Sequence, residues 1–285
     1  MPRLRVATCQ FPVSGDLAAN ARAIRRLMRR AREDRAHVAH FSEACLSGYP
    51  GTDLESLDGF DWDRHRRELE GITELAHKLR LWTIVGSSHP LSGRHKPHNS
   101  LYVIDAAGAL VTRYDKRFCT EGDLKHYSPG SAFTVFEISG ILCGALICYD
   151  FRFQELYREY YRRGVRLLFH SFHNAHGDRP PPKPGNIHGH IVPATMSTYA
   201  ANNHMWVSAN NSSARYSRWP SFFVTPDGMI VSRLARHRTG LVVNEVDTRI
   251  SYYDAPGPYR DRAIRGIWNS GKLVRDPRSA RRRAL

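Results

Sequence analysis

Strand-like runs in this chain are joined by two different kinds of connection, and that mixture limits the folds open to it. Near the N-terminus the connections are helical. RLRVATC (3–9) alternates apolar and polar residues as a half-buried strand does. Asp16 stands where it caps a helix through LAANARAIRRLMRRARE. VAHF (38–41) is a short apolar run, DWDRHRRELEGITELAHKLR (61–80) a second amphipathic helix, and LWTIVGSS (81–88) a buried strand. From about residue 99 hairpins take over. NSLYVID and ALVTRYDK flank the turn AAG, and FTVFEI and ILCGALICYD meet at Ser139-Gly140. Next come a helix in FQELYREYYRRG, the strand VRLLFHS, and HGDRPPPKPGNIHGH, whose Pro and Gly content predicts a loop. A helix over VPATMSTYAANN, the strand MWVSAN and a meander of PSFFVT, MIVSRL and TGLVVNEVD complete the pattern. Helical crossovers imply parallel strands and hairpins imply antiparallel ones. Mixed sheets in a layered α/β sandwich are therefore expected, rather than one doubly wound sheet. With no internal repeat and no interior linker, residues 1–268 read as one domain. The polar, basic tail 269–285 reads as disordered or docked on a partner subunit.

A hydrophobic fraction of 41% and a charged fraction of 24% fit a globular chain of 285 residues with a sizeable core. Lys and Arg total 42 against 27 Asp and Glu, a net charge of +15. Such an excess raises nucleic-acid binding as an option. However, the arginines concentrate on the first helix (Arg22, Arg25, Arg26, Arg29, Arg30, Arg32, Arg35) and in the tail RDPRSARRRAL. On the helix they spread over several faces, and no nucleic-acid-binding motif accompanies them, so nucleic acid is not the expected partner. The five cysteines (Cys9, Cys45, Cys119, Cys143, Cys148) are odd in number and lack CxxC spacing. That argues against a disulfide framework or a zinc cage and fits a reducing cytoplasm. No apolar run approaches the ~18 residues of a membrane span, and no apolar leader precedes the first strand.

Three stretches share one shape. VAHFSE ends at Glu43, LVTRYDK at Lys116, and GALICYD reaches Cys148. In each, an apolar strand delivers one ionisable side chain at or near its C-terminal end. In open α/β sheets ligands collect beyond those ends, so neighbouring, co-oriented strands would bring the three together. The chemistry of such a cluster is coherent. A thiol attacks as thiolate, a carboxylate takes its proton, and an ammonium stabilises the anions that form. Cys, Glu and Lys thus suffice for acyl transfer through a thioester, without metal or cofactor. Cys143, on the same apolar run as Cys148, reads as inert core.

The ordered set FSEACLSGYP, YDKRFC and GALICYDFRF resembles the carbon–nitrogen hydrolase (nitrilase) superfamily. VATCQFPVSGDLAAN, NSLYVIDAAGALVTRYDK, YSPG (127–130), AANNHMWVSANNS and SFFVTPDG carry the likeness over about residues 4–248. The resemblance implies a four-layer α-β-β-α sandwich that pairs into a homodimer or higher homo-oligomer. It implies Glu43 as general base, Lys116 as oxyanion stabiliser and Cys148 as nucleophile, with the Tyr149 N–H as a second oxyanion donor. Tyr49, Phe172 and His173 are its substrate-binding candidates. Two departures matter. Where many members carry a second glutamate, this chain offers Asp123 and, two residues earlier, Glu121; either is a candidate for that supporting role. After the cysteine, Tyr149-Asp150 replaces the Trp-Glu of true nitrilases, which favours amide or N-carbamoyl substrates over nitriles. Gln154 stands where proline is frequent, at the start of a helix.

The histidines of FHSFHNAH (His170, His173, His176), with His188 and His190 beyond, invite a metal reading. On an extended strand, His170 and His173 point to opposite faces, and no carboxylate lies within that run. No metal site is assigned. His173 lies just beyond a strand that, by resemblance, flanks the substrate pocket.

Overall fold

The computed structural model describes residues 3–175 and 187–283. Two six-stranded mixed sheets face one another. The first contains β1 (Arg3–Gln10), β2 (Val38–His40), β3 (Trp82–His89), β4 (His98–Ile104), β5 (Leu110–Asp115) and β12 (Gly240–Asp247), in the order β12-β1-β2-β3-β4-β5. The second contains β6 (Val135–Ile138), β7 (Ile141–Ile147), β8 (Leu167–Ser171), β9 (Trp206–Asn210), β10 (Phe222–Val224) and β11 (Ile230–Arg233), in the order β11-β10-β9-β8-β7-β6. Each sheet has three parallel strands at its centre (β1, β2, β3 and β7, β8, β9) flanked by antiparallel ones. The crossovers supply the parallel pairs and the hairpins the antiparallel ones, as the sequence pattern implies.

Strand alternation decides what each face buries. In β1, Leu4 and Val6 turn towards the second sheet, while Ala7 and Cys9 turn outwards. In β4, Leu101 and Val103 join the inner set and Tyr102 and Ile104 the outer. The outer set packs on α1 (Leu17–Glu33) and α2 (Trp62–Leu79) through Ala21, Ile24, Leu27, Met28, Ile72 and Ala76. Asp16 caps α1 by accepting from the Ala18 and Ala19 N–H groups at 2.9 and 3.0 Å. Most α1 arginines face solvent; Arg25 instead pairs with Glu68 of α2. The other flank of the second sheet is covered by α3 (Gln154–Arg162) and α4 (Ile187–Asn203).

Two sequence expectations need correction. The Pro- and Gly-rich loop does not reach His190, because Ile187 to His190 already form the first turn of α4. The remainder of that loop, with His176, lies outside the described residues. The C-terminal region also carries α5 (Gly257–Ile264) and α6 (Pro277–Ala280), which no periodicity announced. Among the described residues no helix is long and apolar enough to cross a membrane.

The two sheets are stitched together by polar groups near the strand ends that carry Glu43. Ser208 Oγ lies 2.8 Å from Thr8 Oγ1 and 2.9 Å from His40 Nδ1. His40 Nε2 lies 2.8 Å from Ser171 Oγ. Asn210 donates to the Cys9 and His40 carbonyls at 2.8 and 2.6 Å. Burial pushes the His40 pKa down to about 3, so this ring is a neutral structural link. Gly86 of β3 serves the same end of the fold. A Cβ there would lie 2.2 Å from the Ser42 carbonyl oxygen and 2.9 Å from the Glu43 Cα. Gly86→Ala is therefore expected to lower stability by about 1–3 kcal/mol and to cut activity, since backbone must shift at Glu43. Thermal unfolding and turnover of that variant check this; wild-type values in both would contradict it.

Candidate active site

Glu43 lies just past β2, Lys116 directly past β5 and Cys148 directly past β7. These strands are not neighbours in one sheet, as the open-sheet argument pictures. β3 and β4 separate β2 from β5, and β7 belongs to the other sheet. Convergence has a different cause. Two antiparallel steps, β3 to β4 and β4 to β5, restore the original direction, so β5 ends where β2 ends. The second sheet then brings its own strand ends onto the first. The Glu43 N–H donates to the Phe172 carbonyl at 3.3 Å across this junction.

Glu43 is wholly buried, and both of its oxygens are held. Oε1 accepts from Lys116 Nζ and from Asn99 Nδ2, each at 2.8 Å. Oε2 accepts from the His173 backbone N–H at 2.7 Å. Lys116 Nζ also lies 2.8 Å from Asp123 Oδ2. Asp123 in turn accepts from the Thr120 N–H at 2.8 Å and from the Tyr49 hydroxyl. Burial works against the Lys116 charge, but Glu43 and the neighbouring acidic groups overcome it and hold the ammonium well above its usual range. Burial likewise opposes the Asp123 charge, and Lys116 overcomes it, so this carboxyl is held below its usual range.

Cys148 is half-buried and begins a short 3-10 turn, Cys148–Arg152, with its own φ at +43°. That left-handed backbone is uncommon for a residue with a Cβ and marks a sharp break at the strand's end. Its thiol lies within reach of the Glu43 and Lys116 charges. Burial first, and then the Glu43 charge, push the thiol well above its usual pKa, with Lys116 pulling the other way. The resting group is a thiol, and nucleophilic attack requires its proton to leave to a nearby base. Cys143, fully buried and pushed up by burial, instead donates to the Ile141 carbonyl at 3.3 Å.

The remaining candidates separate. Asp123 reaches Lys116, whereas Glu121 is exposed. Tyr49 stacks on His173 with ring centroids 5.0 Å apart and touches Asp123, so it lies in the cluster. His173 Nε2 sits 3.1 Å from Asp53 Oδ2. Burial opposes the imidazolium, but Asp53 prevails and raises its pKa above the usual value. Phe172 is different: its ring is wholly buried against His170 and Trp219 and presents no surface to a ligand. Its contribution at the junction is its carbonyl. The Tyr149 ring is partly exposed and meets Phe153 edge-on. His170 is tied to the Tyr157 hydroxyl at 2.6 Å and the Cys148 carbonyl at 3.2 Å, and burial lowers its pKa to about 3. Among the described residues no group of three His, Cys, Asp or Glu side chains is placed to hold a metal ion.

Asn99 and Asp53 escaped sequence reasoning. Asn99 is the second residue of β4, at the start of NSLYVID, and only the pairing of β4 with its neighbours places it on Glu43. Asp53 sits in the GTDLES loop, with no local signal of a histidine more than a hundred positions away.

The fold and the cluster define a cysteine-centred α-β-β-α sandwich with a buried lysine held between two carboxylates. The carbon–nitrogen hydrolase family model matches residues 5–253, and the chain belongs to that family. Its relatives include the omega-amidase NIT2 of Xenopus tropicalis, 25% identical over 84% of this chain and 87% of that protein. Another is the 2-oxoglutaramate amidase of Bacillus subtilis, 29% identical over 48% of this chain and 52% of that one. Among solved structures, an amidase from Nesterenkonia sp. superposes with a TM-score of 0.75 at 20% identity, covering 92% of this chain and 95% of the other. A glutamate-to-glutamine mutant of the amidase from Nesterenkonia sp. AN1 also superposes with a TM-score of 0.75 at 20% identity, covering 93% of this chain and 97% of the other. That mutant shows covalent addition of the acetamide moiety of fluoroacetamide at its active-site cysteine.

Proposed function

We propose that this protein hydrolyses a small-molecule amide through a thioester on Cys148, with Glu43 as base and Lys116 as electrostatic stabiliser. One observation carries the reading: the carboxylate whose charge acts on the Cys148 thiol is itself fixed by Lys116, Asn99 and the His173 N–H. In acylation, Glu43 takes the thiol proton as sulfur attacks the carbonyl carbon. The oxyanion is met by the Lys116 ammonium and the Tyr149 N–H. Collapse breaks the C–N bond, and Glu43 returns the proton to the departing nitrogen, which leaves as ammonia or an amine. In deacylation, Glu43 takes a proton from water, which attacks the thioester; the C–S bond breaks and the thiolate recovers the proton.

Asp123 keeps Lys116 charged through both steps, and Tyr49 and His173 form one wall of the cluster. Amides and N-carbamoyl compounds are favoured over nitriles by Tyr149-Asp150, and amides further by the names of the relatives. The reading includes association into a homodimer or larger homo-oligomer, which sedimentation measures. No cofactor takes part.

The direct test is a haloacetamide, which carries the amide and an alkylating carbon together. Intact-mass and peptide measurements are expected to find the adduct on Cys148, with Cys143 unmodified and a saturable dependence on reagent. Equal labelling of several cysteines, or none at Cys148, would remove the basis for the nucleophile.

A further inference from the structure

Asp150 is wholly buried and faces three donors from two sides of the cluster. Oδ2 accepts from the Ile147 N–H at 3.0 Å and the Tyr114 hydroxyl at 2.8 Å. Oδ1 accepts from the Phe118 N–H at 2.9 Å. Ile147 immediately precedes the nucleophile candidate. Tyr114 and Phe118 bracket Lys116 at two residues on either side. One carboxylate thus fastens the end of β7 in the second sheet to the end of β5 in the first.

Resting on the function proposed above, we propose that Asp150 is a positioning residue, fixing the turn that bears the Cys148 thiol against the segment that bears the Lys116 ammonium. The backbone supports this role. Cys148 sits at φ +43°, a conformation that persists only where its surroundings over-determine it. The bond to the Ile147 N–H acts one residue before that break. Lys116 has the opposite need: its flexible stem must hold Nζ within 2.8 Å of two carboxylates, and Asp150 anchors the chain on both sides of it.

The arrangement depends on protonation. Burial pushes the Asp150 pKa up to about 6, against the pull of the Ile147, Phe118 and Tyr114 donors and of Lys116. The other titratable groups around it are Tyr114, Tyr157, Tyr160, Cys119 and Lys116. Burial raises the three tyrosines, and raises Cys119 to about 12. Glu43 and its acidic neighbours keep Lys116 charged despite burial. None of these five changes charge near neutrality, so among the groups around it Asp150 is the one that gains a proton in weak acid. Protonation sets a new O–H among three donors, and the fastening loosens.

The test is steady-state turnover of a small amide as a function of pH. In the wild type, kcat is expected to fall along an acid limb centred near pH 6. Asp150→Asn keeps the shape but turns an amide N–H towards a donor. Its kcat is expected to drop about 10- to 100-fold with KM changed less than about threefold, because a displacement of about an ångström suffices for such a loss. Its acid limb is expected to disappear. Tyr114→Phe keeps the carboxylate but removes a donor that stabilises its charge, so the acid limb is expected to move to higher pH. Wild-type kcat and limb in Asp150→Asn, or an unmoved limb in Tyr114→Phe, would overturn the inference. If Asp150→Asn does not fold, the Tyr114→Phe limb decides alone. Failure here leaves the nucleophile assignment standing, since that assignment is tested separately by haloacetamide labelling and by activity in Cys148→Ala.

Discussion

Cys148→Ala is expected to fold normally and to lose amide hydrolysis by at least about a thousandfold, as removal of a covalent nucleophile does. The size of the loss follows from the chemistry. Without sulfur no thioester forms, and Glu43 with Lys116 can only polarise a carbonyl and activate water. The small effect on folding follows from the surroundings. Cys148 is half-buried and its thiol rests neutral, so truncation leaves no charge unpaired. Alanine meets the same left-handed backbone as cysteine, so strain is carried over rather than added. Thermal stability should stay within about 1 kcal/mol of wild type. Cys143→Ala is the matched control: it opens a small cavity in the core, costs roughly 1–2 kcal/mol and leaves the chemistry in place. Hydrolysis in Cys148→Ala near the wild-type rate would remove the nucleophile from the mechanism.

Lys116→Ala is expected to damage both activity and stability. Lys116 has no exposed side-chain surface and sits 2.8 Å from both Glu43 and Asp123. Its removal leaves two buried carboxylates facing each other without a cation. Breaking a buried ion pair from one side costs about 3–5 kcal/mol. The pH dependence gives this a sign. In the wild type, the Asp123 pKa is held below its usual value. Its stabilisation is therefore present above the unfolded pKa of about 3.9 and lost as pH falls through the lower folded value. Without Lys116, burial and the facing Glu43 charge raise the Asp123 pKa instead, and stability recovers as pH falls through that raised value. The gap in melting temperature between variant and wild type should thus narrow from about pH 7.5 to about pH 5. A constant gap over that range would mean that Lys116 does not hold these carboxylates.

How much of this was legible in the sequence depends on range. The strand–helix units, the hairpins and the Asp16 cap are local, and they appear where the pattern places them. Glu43, Lys116 and Cys148 were legible because each ends an apolar strand, and their joint order resembles a family to which the chain belongs. Their convergence was not. It depends on a double reversal through β3, β4 and β5 and on the facing of two sheets. The choice of Asp123 over Glu121 rests on a short turn at Asp123–Lys125 that points one carboxylate inward and leaves the other in solvent. Phe172 shows the opposite failure. Its position beside the site suggested a substrate contact, but its ring turned into the aromatic core around His170 and Trp219. The Pro- and Gly-rich stretch also hid the start of α4, because composition marks where a helix cannot run better than where one begins. Asp150 was read only as a difference from true nitrilases; its three donors come from residues 147, 114 and 118, which sequence alone does not bring together.

The most direct measurement is acid quenching of the wild-type enzyme during turnover of a small amide, followed by mass analysis of the intact chain and its peptides. Hydrolysis through Cys148 requires a mass increase equal to the acyl group, carried by the peptide containing Cys148, labile to hydroxylamine and absent from Cys148→Ala. Turnover with no acyl group on that peptide, or with the acyl group on another residue, would contradict it.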